Sequence, residues 1–123
     1  MKKEMINHHP KISNTIILIS RNGLGESDTE QGRTLIKKYF TILNEKNYLP
    51  YAICFYTAGV KLVIEGSHVL DELITLESKS VKLFVCTTCL INYDIFEQVK
   101  VGTICGMPDI VKTQWKAEKV ITL

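Results

Sequence analysis

The sequence alternates regularly between short runs of apolar residues and longer amphipathic stretches, and this alternation most constrains the fold. The apolar runs lie at 15–19, 52–56, 81–85, 99–104 and 119–123. A continuous apolar run of this length is typical of a strand covered on both faces of its sheet. The order predicted is β-α-β-α-β-α-β-α-β. It indicates an α/β fold, a flavodoxin-like three-layer sandwich with a mostly parallel sheet of about five strands.

Local signals place the helices between these strands. Ser27 and Glu30 have the spacing of a capping box before the first amphipathic stretch, and Ser67 is the N-cap expected for the second. A short helix is expected over about 88–97, and Pro108 lies in the first turn of the last one. Trp115, among apolar neighbours at helical spacing, belongs either to the core or to an interface, and the core is the favoured interpretation.

Size, charge and apolar patterning limit the kinds of protein that this chain can be. Its 123 residues suit one domain, which we expect at 14–123 after a polar lead-in at 1–13. The net charge of +2 favours neither nucleic acid nor an anionic membrane as a partner. No apolar stretch is long enough for a signal peptide or a membrane span, so a cytoplasmic protein with reduced cysteines is expected.

The four cysteines separate into different environments. Cys86 and Cys89 form a CxxC motif directly after the third strand and at the start of a helix, where free N–H groups are expected to lower a thiol pKa. Chemistry in parallel α/β folds gathers at the carboxyl ends of strands, so this pair is the candidate catalytic site. Cys54 lies inside a strand and is expected to pack in the core. Cys105, at the end of the fourth strand, is either a third thiol of the site or a buried residue.

No other motif predicts a cofactor or a metal ion. A structural zinc site needs a second close pair of ligands, and the chain has no second CxxC. The loop at 22–25 precedes a helix but lacks both the Walker spacing and GxGxxG. We therefore expect no metal and no cofactor.

Three stretches of the sequence resemble the DsrE-like sulfur-relay family, and most closely the DsrE-like C-terminal domain of YedF-type sulfurtransferases linked to selenium metabolism. They are Leu24-Gly25-Glu26-Ser27-Asp28, Gly59-Val60-Lys61-Leu62 with Glu65-Gly66-Ser67, and Cys86-Thr87-Thr88-Cys89-Leu90. The resemblance covers about residues 14–123. It implies an α/β fold with a parallel sheet and a persulfide on Cys86. Cys89 would either resolve this persulfide or form a disulfide with Cys86.

The resemblance also implies partners and an assembly state. Sulfane sulfur would pass from a donor protein to an acceptor protein, either of them TusA-like, and the chain would form a homo-oligomer such as a dimer or trimer. YedF-type proteins usually carry a TusA-like domain before the DsrE-like one, so here the transfer partner is expected on another chain. Thr57 stands where the family often has Asn, and Thr87 where it often has Gly. The loops around the site are expected to include Gly25, Asp28, Gly59, Thr87 and Thr88.

Two other functional classes stay open. The CxxC pair could act as a dithiol–disulfide oxidoreductase, which its reduction potential would test. Alternatively, the chain could be a non-catalytic assembly subunit whose sheet presents a docking surface.

Overall fold

The sheet is five-stranded and entirely parallel, with the strand order β4-β3-β2-β1-β5. This computed structural model describes residues 11–26 and 28–123. The elements are β1 (Ile12–Ile19), α1 (Glu30–Lys46), β2 (Leu49–Phe55), a 3-10 segment (Thr57–Val63), α2 (Leu70–Ser78), β3 (Lys82–Cys86), α3 (Thr87–Asn92), a 3-10 turn (Phe96–Gln98), β4 (Thr103–Cys105), α4 (Met107–Lys116) and β5 (Lys119–Thr122). The predicted α/β, flavodoxin-like architecture is confirmed.

The strand order determines which face of the sheet each helix covers. From β1 to β4 the chain always steps in the same direction across the sheet. Right-handed crossovers therefore place α1, α2, α3 and the 3-10 segment Thr57–Val63 on one face. The connection from β4 back to β5 runs the other way, which places α4 on the opposite face. Two layers of helices thus enclose the sheet, and α4 is the helix that covers the second face.

The face under α1, α2 and α3 holds the denser part of the core. Ile17, Ile53 and Leu83 are adjacent in register on β1, β2 and β3, and all three side chains are buried. Burial of an aliphatic side chain of this size contributes about 1.5–3 kcal/mol. Side chains of the opposite face, such as Phe84 and Thr103, remain partly accessible. The face under α1, α2 and α3 is therefore well buried, whereas the face under α4 is partly accessible to solvent.

Several predicted helix boundaries differ from the structure. The proposed cap Ser27 lies outside the described residues, and α1 instead begins after Thr29, whose hydroxyl accepts the N–H of Gly32 at 2.9 Å. α2 begins at Leu70 rather than after Ser67, although the Ser67 hydroxyl accepts the N–H of Val69 at 3.3 Å. In both places a nearby hydroxyl accepts an N–H from the first turn or from just before it.

Other expectations need correction in extent or position. β1 starts at Ile12, three residues before the apolar run at 15–19 that predicted this strand. The helix expected over 88–97 is the short α3 followed by a 3-10 turn, and β4 holds only Thr103–Cys105. The core position predicted for Trp115 is wrong, because this side chain is 85% exposed on α4. Helical spacing identified an apolar stripe there, and Ile110 rather than Trp115 is its buried member.

Candidate thiol site

The candidate site lies at the carboxyl ends of β3 and β4. The chain leaves β3 through α3 on one face of the sheet and leaves β4 through α4 on the other. A crevice opens where neighbouring strands send their connections to opposite faces. Cys86 is the last residue of β3 and Cys105 is the last residue of β4, and the two are paired in register. The topology therefore brings Cys105 next to Cys86.

Cys86 is the most enclosed of the three thiols at this edge. It ends a strand that pairs on both sides, and the residue is 1% exposed. The thiol of Cys89, three residues later on α3, interacts with that of Cys86, and this interaction raises the pKa of Cys89. The CxxC pair thus places two interacting thiols side by side, with one member buried and the other partly exposed.

A backbone donor from the end of β2 points at the second cysteine. The N–H of Thr57 donates to Sγ of Cys89 at 3.1 Å. Thr57 has a left-handed backbone, with a φ of 45°. Asn47, with a φ of 53°, is another described non-glycine residue of this kind. The Thr57 hydroxyl donates to the carbonyl of Ser20 at 2.7 Å and also lies 2.8 Å from the carbonyl of Tyr56. These bonds hold an unfavourable backbone conformation in place and aim the N–H at sulfur.

Sequence reasoning missed Thr57 as a site residue. The available signal was its place in the resemblance, where the related proteins often have Asn. Asn tolerates the left-handed region better than Thr does, because its short polar side chain bonds locally. The residue that supplies the N–H donor to Cys89 is therefore the one at which this sequence has Thr where the family often has Asn.

The environment raises the pKa values of Cys89 and Cys105 rather than lowering them. Burial raises the pKa of Cys89, and the contact with Cys86 adds to this, while the Thr57 N–H acts in the opposite direction. Burial also raises the pKa of Cys105, with further contributions from the charges of Asp109 and Cys86 and an opposing one from the Val85 N–H. The expectation that the helix start lowers the thiol pKa is therefore wrong for Cys89.

Cys54 is packed below the site, as the sequence predicted. It is fully buried on β2, and burial followed by the charge of Cys105 raises its pKa to about 12. A thiol of this kind stays neutral at physiological pH and cannot act as a nucleophile.

Two of the predicted loop residues help to build the site. A Cβ on Gly59 would lie 2.2 Å from the carbonyl oxygen of Ile19, so only glycine lets the 3-10 segment approach the end of β1. The Thr87 hydroxyl donates to the carbonyl of Cys105 at 2.9 Å and so ties the first turn of α3 to the end of β4. Thr88 is exposed and has no such tie among the described contacts.

The other two predicted loop residues form a separate local structure after β1. Gly25 and Asp28 both have positive φ, and the Asp28 carboxylate accepts a hydrogen bond from the Asn22 side chain at 3.0 Å. The carbonyl of Gly25 accepts one from the Arg21 guanidinium at 2.5 Å. In the part of the chain that the structure describes, no hydrogen bond joins Gly25 or Asp28 to a cysteine.

Neither a metal cluster nor a membrane-spanning helix is found in residues 11–26 and 28–123. No group of three or more His, Cys, Asp or Glu side chains there is arranged to hold a metal ion. None of the helices described is both long and apolar enough to cross a membrane. The cysteines are all free thiols.

Comparison with known proteins identifies the family. The model of the DsrE/DsrF-like family matches residues 17–123, which is most of the chain. The chain belongs to the DsrE/DsrF-like family. This is a sulfur-relay family, and the matched region contains every cysteine discussed above. The resemblance seen in the sequence is confirmed at the level of the family. No curated protein gives a significant match to the chain.

Solved structures of similar fold come from bacteria and an archaeon. The YchN protein from E. coli matches with a TM-score of 0.68 and 16% identity, covering 89% of this chain and 98% of its own. MTH1491 from Methanobacterium thermoautotrophicum, a protein of unknown function, has a TM-score of 0.65, 16% identity and coverages of 89% and 97%. BT1422 from Bacteroides thetaiotaomicron, also of unknown function, has a TM-score of 0.65, 14% identity and coverages of 89% and 95%. At these identities the comparison establishes the fold alone.

Proposed function

We propose that this chain carries sulfane sulfur as a persulfide on the Cys86–Cys89 pair, between a donor protein and an acceptor protein. The observation that carries the proposal is the placement of both cysteines at the carboxyl edge of the sheet, where the Thr57 N–H donates to the Cys89 sulfur at 3.1 Å. Membership of a sulfur-relay family supports the same chemistry.

The transfer is an exchange between sulfur atoms and needs no external oxidant or reductant. A thiolate of the pair attacks the outer sulfur of the donor persulfide. The sulfur–sulfur bond of the donor breaks, a new one forms on the cysteine, and the donor leaves as a thiolate that takes up the released proton. Exchange of this kind depends on the thiolate fraction of the attacking group and on access to it.

The different burial of the two cysteines suits a carrier. Cys89 is partly exposed and is the thiol that a protein donor reaches first. Cys86 is buried, so a persulfide formed there by exchange with Cys89 is shielded from thiols in solution. The CxxC stretch that resembles YedF-type proteins supports a donor or acceptor of the TusA type on another chain, in a reducing cytoplasm, with this chain as a homo-oligomer.

A dithiol–disulfide oxidoreductase is the second candidate, and the close spacing of the same two cysteines at the strand–helix junction favours it. Oxidation would join Cys86 and Cys89 in a disulfide, releasing two electrons and two protons to a disulfide substrate. A carrier and an oxidoreductase differ in what they retain, because the carrier gains a sulfur atom and the oxidoreductase loses two hydrogens.

The two candidates can be separated by intact mass after incubation with cysteine persulfide. A carrier gains about 32 Da, the mass of one sulfur atom, and the gain disappears on alkylation and reduction. Cys86→Ser should abolish the stable adduct and Cys89→Ser should slow its formation. Cys54→Ala is the matched control, because it removes a buried cysteine that is not part of the Cys86–Cys89 pair. The proposal is contradicted if the wild-type protein gains no such mass, or if the Cys86→Ser protein gains as much as the wild type.

A further inference from the structure

Cys105 has a relation to Cys86 that the CxxC motif does not account for. The two residues are direct partners in the β3–β4 register, and neighbouring strands lie about 4.8 Å apart. Paired residues of a parallel ladder point to the same face of the sheet, so both side chains lie on the face that α4 covers. The charge of Cys86 contributes to raising the pKa of Cys105, as expected for thiols at short range.

A groove leads from the surface to Cys105 but not to Cys89. It has a volume of about 550 Å³ and runs between the sheet and α4. Phe84, Thr103 and Cys105 line it from the sheet, and Asp109 and Lys112 line it from α4. A volume of this size matches sites for small molecules or single side chains. Its walls therefore leave room for a thiol to approach the Cys105 sulfur.

The two partly exposed thiols consequently open to different surfaces, with the buried thiol between them. Cys89 belongs to α3 and contacts the 3-10 segment at Thr57, both of which cover the first face of the sheet. Cys105 faces the groove beside α4 on the second face. Cys86 precedes Cys89 by three residues in the CxxC motif and has Cys105 as its strand partner.

We propose that Cys105 is the outlet of the site: sulfur held on Cys86 crosses to Cys105 and leaves to an acceptor thiol in the groove beside α4. This rests on the proposed persulfide function. The Cys105 thiolate attacks the outer sulfur of the Cys86 persulfide. A sulfur–sulfur bond forms on Cys105, the one on Cys86 breaks, and the Cys86 thiolate takes the proton that Cys105 released. Donor and acceptor then use opposite sides of the sheet and do not compete for one docking surface.

Time-resolved mapping of the persulfide tests this order. The protein is loaded with cysteine persulfide, freed of donor, mixed with reduced glutathione and sampled with a thiol-blocking reagent before peptide analysis. In the wild type, sulfane sulfur should leave Cys86 while it appears transiently on Cys105. Cys105→Ser should still load but should discharge to glutathione at least about ten-fold more slowly, since the route through the groove is lost. Cys54→Ala should behave as the wild type.

A second variant leaves Cys105 in place and closes its access. Thr103 is exposed on β4 and lines the groove, so Thr103→Phe should fill the groove and slow discharge in the same way. If Cys105→Ser or Thr103→Phe discharges at the wild-type rate, Cys105 is not the outlet. The same conclusion follows if Cys105 is loaded to the wild-type level in Cys86→Ser. Discharge of Cys105→Ser or Thr103→Phe at the wild-type rate, with normal loading of Cys86, leaves the carrier function standing. Failure of the wild type to load at all refutes the carrier function itself.

Discussion

Replacing Gly59 by alanine tests how the 3-10 segment is held against the end of β1. The new methyl group would lie 2.2 Å from the carbonyl oxygen of Ile19, whereas ordinary contact begins near 3.4 Å. One side must therefore move by about 1 Å, against the bond that the same carbonyl accepts from the Tyr56 N–H at 3.1 Å. Overpacking of this kind costs about 3 kcal/mol.

That cost should appear as a large shift in thermal unfolding. The unfolding entropy of a chain of this length is ~0.26 kcal/mol/K, so 3 kcal/mol corresponds to a melting temperature about 12 °C lower, measured by circular dichroism. Gly106→Ala is the matched control, because its φ is −91° and the nearest atom, Cδ of Pro108, would lie at 3.3 Å. It should change stability by less than about 1 kcal/mol.

The same substitution should also reach the thiol site. Thr57 lies two residues before Gly59, and its N–H opposes the raised pKa of Cys89. Displacement of this turn should raise that pKa further and slow alkylation of Cys89 at neutral pH. A Gly59→Ala protein that melts within about 2 °C of the wild type would refute the steric reasoning. Unchanged Cys89 alkylation in a destabilised variant would refute the link to the site.

Three further predictions concern Cys54, Thr29 and Trp115. Because folding raises the pKa of Cys54 from 9.0 to about 12, the free energy of unfolding should fall as pH rises through this window, and Cys54→Ala should flatten the fall in denaturant titrations. An equal fall of the unfolding free energy in the wild type and in Cys54→Ala would contradict this prediction. Thr29→Ala should lower stability by about 1 kcal/mol, since the Gly32 N–H loses its acceptor, whereas Thr29→Ser should retain it. Trp115, the single tryptophan and 85% exposed, should be quenched by acrylamide nearly as well in the folded as in the unfolded protein; strong protection would mean that a second chain covers it.

The fold could be predicted from the sequence because strand and helix periodicity is a local property. The apolar runs at β1, β2 and β3 are continuous and are bounded by turn residues, and the structure places strands at each of them. Periodicity was less informative where a helix is partnered on only one side. On α4 the apolar stripe continues to Trp115, but Ile110 is the residue of this helix that is buried, and Trp115 is exposed.

The candidate site was only partly predictable, for the same physical reason. Cys86 and Cys89 are close in sequence, so their spacing alone brought them together. Thr57 and Cys105 reach the pair through the parallel register of β2, β3 and β4, and no sequence interval encodes that register directly. The thiol pKa values also depend on burial in the assembled fold. The rule for helix starts therefore failed for Cys89.

The Cys86–Cys105 pairing has a consequence for how this site tolerates sequence change. The separation of the two α-carbons is set by main-chain hydrogen bonds between β3 and β4, whatever side chains surround them. Cys89, by contrast, is held by the six residues of α3, which are too few to form a stable helix without packing against the rest of the protein. Repacking of the core can thus change the reach of Cys89 while the spacing of the strand-borne thiols stays constant.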